Sequence, residues 1–287
     1  MQKTYIVTGA TSGIGLAVAE QLARQGAFVV GVGRDPERCA LTEEQLKAAH
    51  PEARACCLVA DLALQSQIRL LAAALWEELS ARKILRLDGL VNNAGTFTFY
   101  QTLTAEGFEM QWAVNHLAPF LLTHLLLPLL QASSSARVVT VSSGSHYHTK
   151  LNWKDIQLRR HYNSLLAYKQ TKLCNVLFTA ELNRRFGLDS TVRAFAADPG
   201  LVFTELGFKN NPLLARWIWA RRRQGGISPQ ESAGGVVFLA TEPSIQDAID
   251  IYWKHCQPKD PNPLALDPET ATRLWNISAR MCGIKPL

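Results

Sequence analysis

The sequence has no uninterrupted apolar run of the length that crosses a membrane. Its longest apolar stretch, Leu117–Leu130, is broken by two prolines, a threonine and a histidine, whereas a membrane-spanning helix needs about 20 consecutive apolar residues. The first three residues lead straight into a strand-like segment, with none of the charged and apolar regions of a signal peptide. The sequence therefore predicts a cytoplasmic protein.

Cysteine is also scarce. Six cysteines occur in 287 residues, and no two of them form a Cys-x-x-Cys pair. This number is low for a disulfide-rich scaffold, so free thiols in a reducing compartment are expected. His146 and His148 stand close together, but no cysteine or carboxylate lies at a spacing that would complete a metal site. We therefore predict no metal centre.

The composition excludes two further classes of protein. Apolar residues make up 47% of the chain and charged residues 19%, whereas disordered chains combine low hydrophobicity with high net charge. The net charge of +6 comes from basic residues that are mostly scattered. A nucleic-acid-binding protein more often has a dense basic stripe with interleaved aromatic residues. We therefore predict a small-molecule partner and no nucleic acid.

Short apolar runs alternate with longer helical patterns along the whole chain. Continuous apolar strands separated by helices indicate a parallel sheet that is covered on both faces, which is the doubly wound pattern. No linker or repeat divides the sequence. Residues 1–287 are thus predicted to form a single α/β domain of the Rossmann type with about seven strands. The irregular segment 201–228 is long for a passive connection.

The expected elements follow from this alternation. The predicted strands are Thr4–Thr8, Ala27–Val32, Arg54–Val59, Leu87–Asn92, Arg137–Ser142, Thr191–Ala197 and Ile249–Trp253. The predicted helices are Gly13–Gln25, Pro36–Ala49, Leu64–Arg82, Phe108–Gln131, Ser164–Phe186 and Pro229–Thr241.

The first predicted strand ends in a glycine-rich turn just ahead of a helix. Gly9, Gly13 and Gly15 would let the backbone approach a pyrophosphate, and the free N–H groups of the helix N-terminus would bind its charge. The spacing is Gly-x-x-x-Gly-x-Gly. An ordinary connection between a strand and a helix is the alternative, but the position of the turn favours a dinucleotide site.

The residues after the second predicted strand bear on the kind of dinucleotide. An acidic side chain there accepts from a ribose 2′-hydroxyl, whereas an arginine pairs with a 2′-phosphate. Arg34 occupies this position and Arg38 lies one helical turn further on, so NADP(H) is favoured over NAD(H). Asp35 complicates this prediction, because its carboxylate could be solvated or turn toward the ribose. Asp61, after the third strand, is placed to meet the adenine or to cap the next helix.

A tyrosine and a lysine stand where catalytic groups would be expected. Tyr168 and Lys172 are four residues apart in a predicted helix and therefore lie on one of its faces. They follow the strand that ends at Ser142-Ser143 and precede Asp198–Gly200, and Asn92–Gly95 closes the fourth strand. In this order, over essentially the whole chain, the motifs resemble the short-chain dehydrogenase/reductase family, and within it the retinol dehydrogenase group that includes the WW-domain oxidoreductase.

The resemblance implies four catalytic positions. Tyr168 would be the general acid/base, Lys172 would lower its pKa and hold the nicotinamide ribose, Ser143 would bind the reacting oxygen, and Asn115 would support a water chain. Ser143 is preferred to Ser142 because its separation from Tyr168 matches the long loop of the retinol group. Each position also has a plain structural alternative: Ser143 could merely end a strand, and Asn115 could bond the backbone inside a helix.

Physical chemistry makes these roles reasonable. A free tyrosine titrates near pH ~10, so a base that works near neutral pH needs a downward pKa shift of about three units, or about 4 kcal/mol. A nearby ammonium group and an oxidised nicotinamide would both favour the phenolate.

The cofactor contacts come from the glycine turn and from the resemblance together. Asn93 is expected to be chiefly structural, and Thr204 either meets the carboxamide of the nicotinamide or caps a helix. The full set is Gly9, Thr11, Ser12, Gly13, Ile14, Gly15, Arg34, Arg38, Asp61, Leu62, Asn93, Ala94, Gly95, Tyr168, Lys172, Pro199, Gly200, Val202 and Thr204.

The implied reaction is hydride transfer between NADP(H) and a carbonyl/alcohol pair of a lipophilic or aromatic substrate, such as a retinoid, steroid or xenobiotic. Asp198 stands where the retinol group usually has histidine, so the substrate need not be that of the retinol group. The alternatives are reduction of a carbon–carbon double bond, as in the related protochlorophyllide reductases, and a non-catalytic dinucleotide sensor that binds a partner. The resemblance also implies a homo-oligomer, either a dimer or a tetramer.

Two surface features complete the expectations. Segment 201–228 is expected to form the substrate lid of this family. Within it, residues 213–223 combine tryptophans with a basic cluster. This stretch either packs onto the substrate pocket or touches an anionic membrane peripherally. The loop containing His146–His148 is expected to line the substrate pocket.

Overall fold

The structure, a computed structural model, describes residues 2–50, 54–202 and 226–285. Thr204, the basic aromatic stretch 213–223 and most of the predicted lid lie outside the described residues. The expectations for them therefore remain predictions.

A single eight-stranded sheet runs through the described residues in the order β3-β2-β1-β4-β5-β6-β7-β8. All neighbouring strands are parallel except β7 and β8, which are antiparallel. The strands are β1 Thr4–Thr8, β2 Phe28–Gly33, β3 Arg54–Val59, β4 Gly89–Asn92, β5 Ala136–Val141, β6 Val192–Asp198, β7 Tyr252–Lys254 and β8 Gln257–Pro258. This confirms the predicted fold class and adds one short antiparallel strand to the expected seven.

Helices cover both faces of the sheet. Consecutive residues of each strand pack into opposite layers: Ile6 contributes to one apolar cluster, and Tyr5 and Val7 to the other. Such alternation is what a parallel sheet with two covered faces requires. The helices are α1 Gly13–Arg24, α2 Pro36–Ala48, α3 Gln65–Ala81, α4 Met110–Gln131, α5 Ser164–Phe186, α6 Pro229–Thr241 and α7 Pro268–Met281.

The strand order places a crevice beside β1 and β4. Chain connections from β1 run to one side of the sheet through β2 and β3, and the chain then returns to β4 on the other side. At such a reversal, the loops at the carboxyl ends of neighbouring strands part and leave space for a ligand. The predicted glycine turn follows β1 and Asn93 follows β4, so both lie at this edge.

Two helices differ from the sequence expectation. Helix α4 contains a π-helical turn, Ala113–Leu117, which the apolar pattern did not predict. Helix α7 was missed, although Asp267 caps it through Glu269 N–H and Thr270 N–H at 3.3 and 3.1 Å. An aspartate followed by proline is an ordinary helix start signal, so this element was predictable.

Helix α4 is a core helix. Within the described parts of the chain, it is the one helix long and apolar enough to cross a membrane, and 78% of its most apolar window is buried. Such burial is typical of a helix packed between a sheet and its neighbours. The cytoplasmic location stays a prediction. All six cysteines carry free thiols, as expected.

Candidate active site

Tyr168, Lys172 and Ser143 meet at the carboxyl edge of the sheet. Tyr168 and Lys172 lie on one face of α5, and the Lys172 Nζ is 5.5 Å from the centre of the Tyr168 ring. Lys172 is 4% exposed and its Nζ donates to the Val141 carbonyl at 2.9 Å. The Ser143 hydroxyl, just after β5, is close enough to the Tyr168 phenol to lower the pKa of Tyr168. Geometry thus brings together three residues that the sequence placed on two separate elements.

The two neighbouring serines have different surroundings. Ser142 is buried and its hydroxyl donates to the Lys172 backbone carbonyl at 2.8 Å, which fastens β5 to α5. Ser143 is partly exposed, and its Oγ accepts from Ser145 N–H at 3.2 Å while it faces Tyr168. The preference for Ser143 over Ser142 agrees with this arrangement, because the Ser142 hydroxyl already serves a structural bond.

Asn115 lies in the π-helical turn of α4. Its Nδ2 donates to the Thr96 carbonyl at 2.9 Å and to Thr171 Oγ1 at 3.2 Å, and its Oδ1 accepts from Thr96 N–H at 2.7 Å. A Cβ placed on Gly95 would lie 3.5 Å from Asn115 Oδ1 and 3.8 Å from Lys172 Nζ. The side chain therefore ties α4, the turn after β4 and α5 together beside Lys172. π-Helical turns are frequent at functional sites.

The glycine turn packs closely against Asn93, with no room for a side chain at Gly15. Gly9 has a φ of +67°, which favours glycine, and a Cβ on Gly15 would lie 2.2 Å from Gly9 O and 2.3 Å from Asn93 Nδ2. Asn93 Nδ2 donates to Thr8 O at 2.8 Å, and the Thr8 hydroxyl accepts from the N–H groups of Asn93 and Ala94, both at 3.0 Å. Asn93 thus joins β4 to β1, and this is a structural role of the kind expected for it.

The N-terminus of α1 faces the crevice. Ser12 is exposed and its side chain does not cap the helix, and no acidic residue stands in the first turn. Thr11, Gly13 and Ile14 are partly buried around it. This end of α1 suits an anion, because its N–H groups and dipole attract negative charge.

The charged residues after β2 separate into two roles. Asp35 is the N-cap of α2, and its Oδ1 accepts from Arg38 N–H at 3.1 Å. Arg34 and Arg38 are exposed. The carboxylate of Asp35 is therefore engaged in capping, and the arginine side chains are the groups that this edge offers to a ligand.

Asp61 does not cap the following helix. Its Oδ1 accepts from Ala63 N–H at 3.0 Å, and Leu64 stands at the start of α3 instead. The N–H groups of Gln65 and Ser66 are bound by the Glu106 carboxylate at 2.6 and 2.9 Å. Asp61 is exposed, whereas the Leu62 side chain is buried in the core, which leaves only the Leu62 backbone for a cofactor.

The segment after β6 continues the same edge. Pro199 O accepts from the Ser232 hydroxyl of α6 at 2.8 Å. Gly200 N–H donates to Asp198 Oδ1 at 3.0 Å, and Val202 forms a parallel bridge with Ile227. Pro199, Gly200 and Val202, which the sequence analysis named as cofactor contacts, thus follow the carboxyl end of β6.

The protein's own groups shift the pKa of Tyr168 upward. Burial, followed by the negative charge of Asp198, raises the pKa of Tyr168 to about 12, and the Ser143 hydrogen bond acts in the opposite direction. Burial lowers the pKa of Lys172 to about 8, partly offset by Asp198. Burial is the largest of these effects on Tyr168, and the expectation that Lys172 lowers its pKa stays a prediction.

Sequence reasoning underrated Asp198, which it noted only as a departure from the family pattern. The carboxylate is buried; Tyr252 O–H donates to its Oδ2 at 2.7 Å, and Lys254 Nζ lies 3.8 Å from the same oxygen. A Cβ on Gly144 would lie 3.3 Å from that oxygen, so the carboxylate sits directly under the loop that carries Ser143. Only the tertiary structure brings these groups together.

Phe97 was missed entirely. It is 5% exposed, and its ring meets the Tyr168 ring edge to face at 5.7 Å and the Phe99 ring at 5.1 Å. An aromatic wall therefore stands beside the phenol. The sequence signal was available, since two phenylalanines follow Asn92–Gly95 closely.

The expectation that the loop after Ser143 lines the substrate pocket is wrong for His146. His146 is fully buried, so its side chain does not line a substrate pocket. Its neighbours Tyr147 and His148 line an open pocket of about 630 Å³ with Leu166, Asn262 and Leu264. In the parts of the chain that the structure describes, no three histidine, cysteine or acidic side chains are grouped to hold a metal.

Comparison with known proteins identifies the family of the chain. The pattern of the short chain dehydrogenase family matches residues 3–212. Retinol dehydrogenase 14 from Mus musculus is 38% identical, with 98% of this chain and 86% of the relative covered.

Two solved structures have similar folds. An uncharacterised protein from Mycobacterium paratuberculosis has a TM-score of 0.75 at 31% identity, covering 100% of this chain and 95% of its own. The angucycline C-6 ketoreductase LanV, solved with bound NADP, has a TM-score of 0.68 at 26% identity, covering 88% and 93%. The chain belongs to the short-chain dehydrogenase/reductase family of oxidoreductases and is similar to its retinol dehydrogenases.

Proposed function

We propose that this protein is an NADP(H)-dependent oxidoreductase that interconverts a carbonyl and an alcohol on a lipophilic or aromatic substrate. The observation that carries the proposal is the meeting of the Tyr168 phenol, the Ser143 hydroxyl and the buried Lys172 ammonium beside the glycine turn. We also propose that residues 1–287 act as one domain, with 201–228 as its lid.

The residues around the crevice fit a dinucleotide. Gly15 leaves no room for a side chain between Gly9 and Asn93, which permits close approach of a pyrophosphate to the backbone. The N-terminus of α1 offers N–H groups to it, and Arg34 offers a guanidinium group to a 2′-phosphate. The bound NADP of the similar ketoreductase supports this choice of cofactor.

The nicotinamide supplies or accepts the hydride, and the chain supplies position and protons. In the reductive direction, Tyr168 donates its proton to the alkoxide that develops on the substrate, while the Ser143 hydroxyl donates a hydrogen bond to that oxygen. A pKa of about 12 for Tyr168 keeps the phenol protonated at neutral pH, so it is ready to act as the acid. The ammonium of Lys172 lowers the cost of the phenolate that forms.

The aromatic residues near Tyr168 support the proposed substrate class. The Phe97 ring packs against Tyr168 and the Phe99 ring packs against Phe97, and such rings favour apolar or aromatic ligands. The similar proteins are named as retinol dehydrogenase and angucycline ketoreductase, and both names denote large, largely apolar substrates.

Replacing Lys172 by methionine is expected to stabilise the fold and abolish most of the activity. The lowered pKa of Lys172, about 8 against 10.5, corresponds to about 3 kcal/mol of unfavourable burial. Val141 O keeps a donor in the variant, because Asn175 Nδ2 also donates to it at 3.1 Å. We expect the free energy of unfolding at pH 7 to rise by about 1 to 3 kcal/mol, measured by urea denaturation.

The pH dependence of the stability difference between the variant and the wild type is the control for this prediction. A depressed lysine pKa destabilises the fold fully below pH 8, and the effect fades as the pH rises from 8 toward 10.5. The difference in stability between the variant and the wild type should therefore shrink over that range. Titration of Tyr168 cancels in the comparison, because both proteins contain it. A constant difference, or a variant less stable at pH 7, would contradict the prediction.

The proposed function is tested with a substrate panel. Retinal, an aromatic aldehyde, an α,β-unsaturated steroid ketone and a simple aliphatic aldehyde are each offered with NADPH and with NADH. Oxidation of the cofactor is followed, and the product is identified as the alcohol or as the compound with a reduced carbon–carbon double bond. Turnover of the apolar carbonyl compounds with NADPH supports the proposal. Turnover confined to an activated carbon–carbon double bond would favour the double-bond reductase alternative, and cofactor binding without any turnover would favour the sensor.

A further inference from the structure

A buried histidine connects the loop of Ser143 to a distant part of the chain. His146 ends the 3₁₀ turn Gly144–His146 that follows Ser143, and its ring is fully buried. Its Nδ1 lies 2.8 Å from the Ser143 carbonyl oxygen. On the other side of the ring, the backbone N–H of Asn262 donates to Nε2 at 3.1 Å. One imidazole therefore bridges residues that are far apart in the sequence, since His146 and Asn262 are separated by 116 positions.

The partners of the ring determine its tautomer. A backbone N–H can only donate, so Nε2 of His146 must accept from Asn262 and carries no proton. A carbonyl can only accept, so Nδ1 carries the proton and donates it to Ser143 O. Burial lowers the pKa of His146, opposed by the Ser143 carbonyl and Asp198. An imidazolium would place an Nε2 proton against the Asn262 N–H, so the neutral ring is the form that fits.

The side chain of Asn262 binds the backbone of the same loop. Its side chain is buried, and Nδ2 donates to the carbonyls of His146, Tyr147 and Thr149 at 2.9, 3.0 and 3.0 Å. Its Oδ1 accepts from Leu264 N–H at 3.0 Å. A single amide thus fixes the backbone from His146 to Thr149, and every polar atom of the side chain is used.

Aromatic rings prevent the imidazole from turning. The ring centres of Tyr147 and Tyr252 lie 4.2 and 4.5 Å from that of His146. The hydroxyl of Tyr252 is anchored on Asp198 at 2.7 Å. Rotation of the imidazole would break both of its hydrogen bonds inside this packed cluster.

We infer that His146, oriented by Asn262, is a positioning residue that sets the location of Ser143 relative to Tyr168. The inference rests on the proposed role of Ser143 in binding the reacting oxygen. Ser143 stands in extended backbone with φ −171° and ψ 151°, and its carbonyl accepts from both the ring and the backbone N–H of His146, the latter at 3.1 Å. Loss of the ring bond removes one of the two donors that hold this carbonyl, so the peptide is held less firmly and the hydroxyl shifts.

The test is a double-mutant cycle between His146→Leu and Ser143→Ala. We expect His146→Leu to lower kcat about 10- to 100-fold, as a small misplacement of a catalytic group does, while the dissociation constant of NADPH stays unchanged. In the Ser143→Ala background, His146→Leu should lower kcat no further, because its effect passes through Ser143. His161→Leu, at an exposed position outside this loop, is the matched control and should retain full activity.

The outcomes separate the two proposals. Losses that multiply in the double variant, or a His146→Leu variant with wild-type kcat, overturn the positioning role. A Ser143→Ala variant with wild-type kcat instead overturns the proposed function.

A measurement on the wild-type protein tests the inference even if the His146→Leu variant does not fold. Nitrogen-15 NMR of the histidine rings should show Nδ1 of His146 protonated and Nε2 unprotonated between about pH 5 and pH 8, where a free histidine titrates. A ring that carries its proton on Nε2, or that titrates in this range, overturns the inference.

Discussion

Tyr168→Phe should abolish turnover and leave cofactor binding intact. The variant loses only the phenolic oxygen, because the ring keeps its contacts with Phe97 and with the Lys172 ammonium. A positioned general acid contributes about 10²- to 10⁴-fold to a reaction rate, so kcat should fall by that factor. The dissociation constant of NADPH, measured by quenching of protein fluorescence, should match that of the wild type.

Tyr100→Phe is the matched control. Tyr100 is 68% exposed, so loss of its hydroxyl should change neither kcat nor the binding of NADPH. If Tyr168→Phe retained turnover, the assignment of the acid would be wrong. If it lost NADPH binding along with turnover, its effect on kcat would report on the cofactor site and not on proton transfer.

Arg34→Ala should separate the two cofactors. A hydrogen bond to a charged group is worth about 1.5 to 3 kcal/mol, which corresponds to about 10- to 150-fold in affinity. NADPH has a 2′-phosphate that the Arg34 guanidinium can bind, and NADH has none. We therefore expect kcat/KM with NADPH to fall about 10- to 150-fold and kcat/KM with NADH to stay nearly constant.

The sheet offers a control of equal charge. Arg54 begins β3 and pairs with Phe28 at the start of β2, whereas Gly33, just before Arg34, pairs with Val59 at the other end. Arg54→Ala removes the same charge from the opposite edge of the sheet and should leave both cofactors unaffected. Equal losses with NADPH and NADH in Arg34→Ala would mean that Arg34 supports the turn and does not read the phosphate.

The framework of the fold was predictable because its signals are local. Each strand is a short apolar run and each helix carries its own period, so the alternation predicted a doubly wound sheet before any contact was known. Helix α7 also has a local start signal, Asp267-Pro268. The cap of α3 is different: Glu106 is 41 positions away from Gln65 in the sequence, and no local pattern connects them.

The candidate site was predictable to the extent that it lies within single elements. Tyr168 and Lys172 share a helix, so their common face followed from helix geometry. Which serine faces the phenol follows from how β5 packs on α5, since Ser142 donates to the Lys172 carbonyl. The pKa of Tyr168 depends on burial and on Asp198 at the end of β6, which are properties of the assembled core.

By itself, the sequence determined the alternation of strands and helices, the glycine turn and the Tyr168–Lys172 spacing, because periodicity and short-range spacing depend only on residues that are close together in the chain. The tertiary structure alone decided that Glu106 binds the N-terminus of α3, that His146 is buried between Ser143 and Asn262, and that Asp198 lies next to the loop that carries Ser143. The physical reason is that hydrogen-bond partners and desolvation depend on which distant segments pack together, and packing is a property of the whole fold.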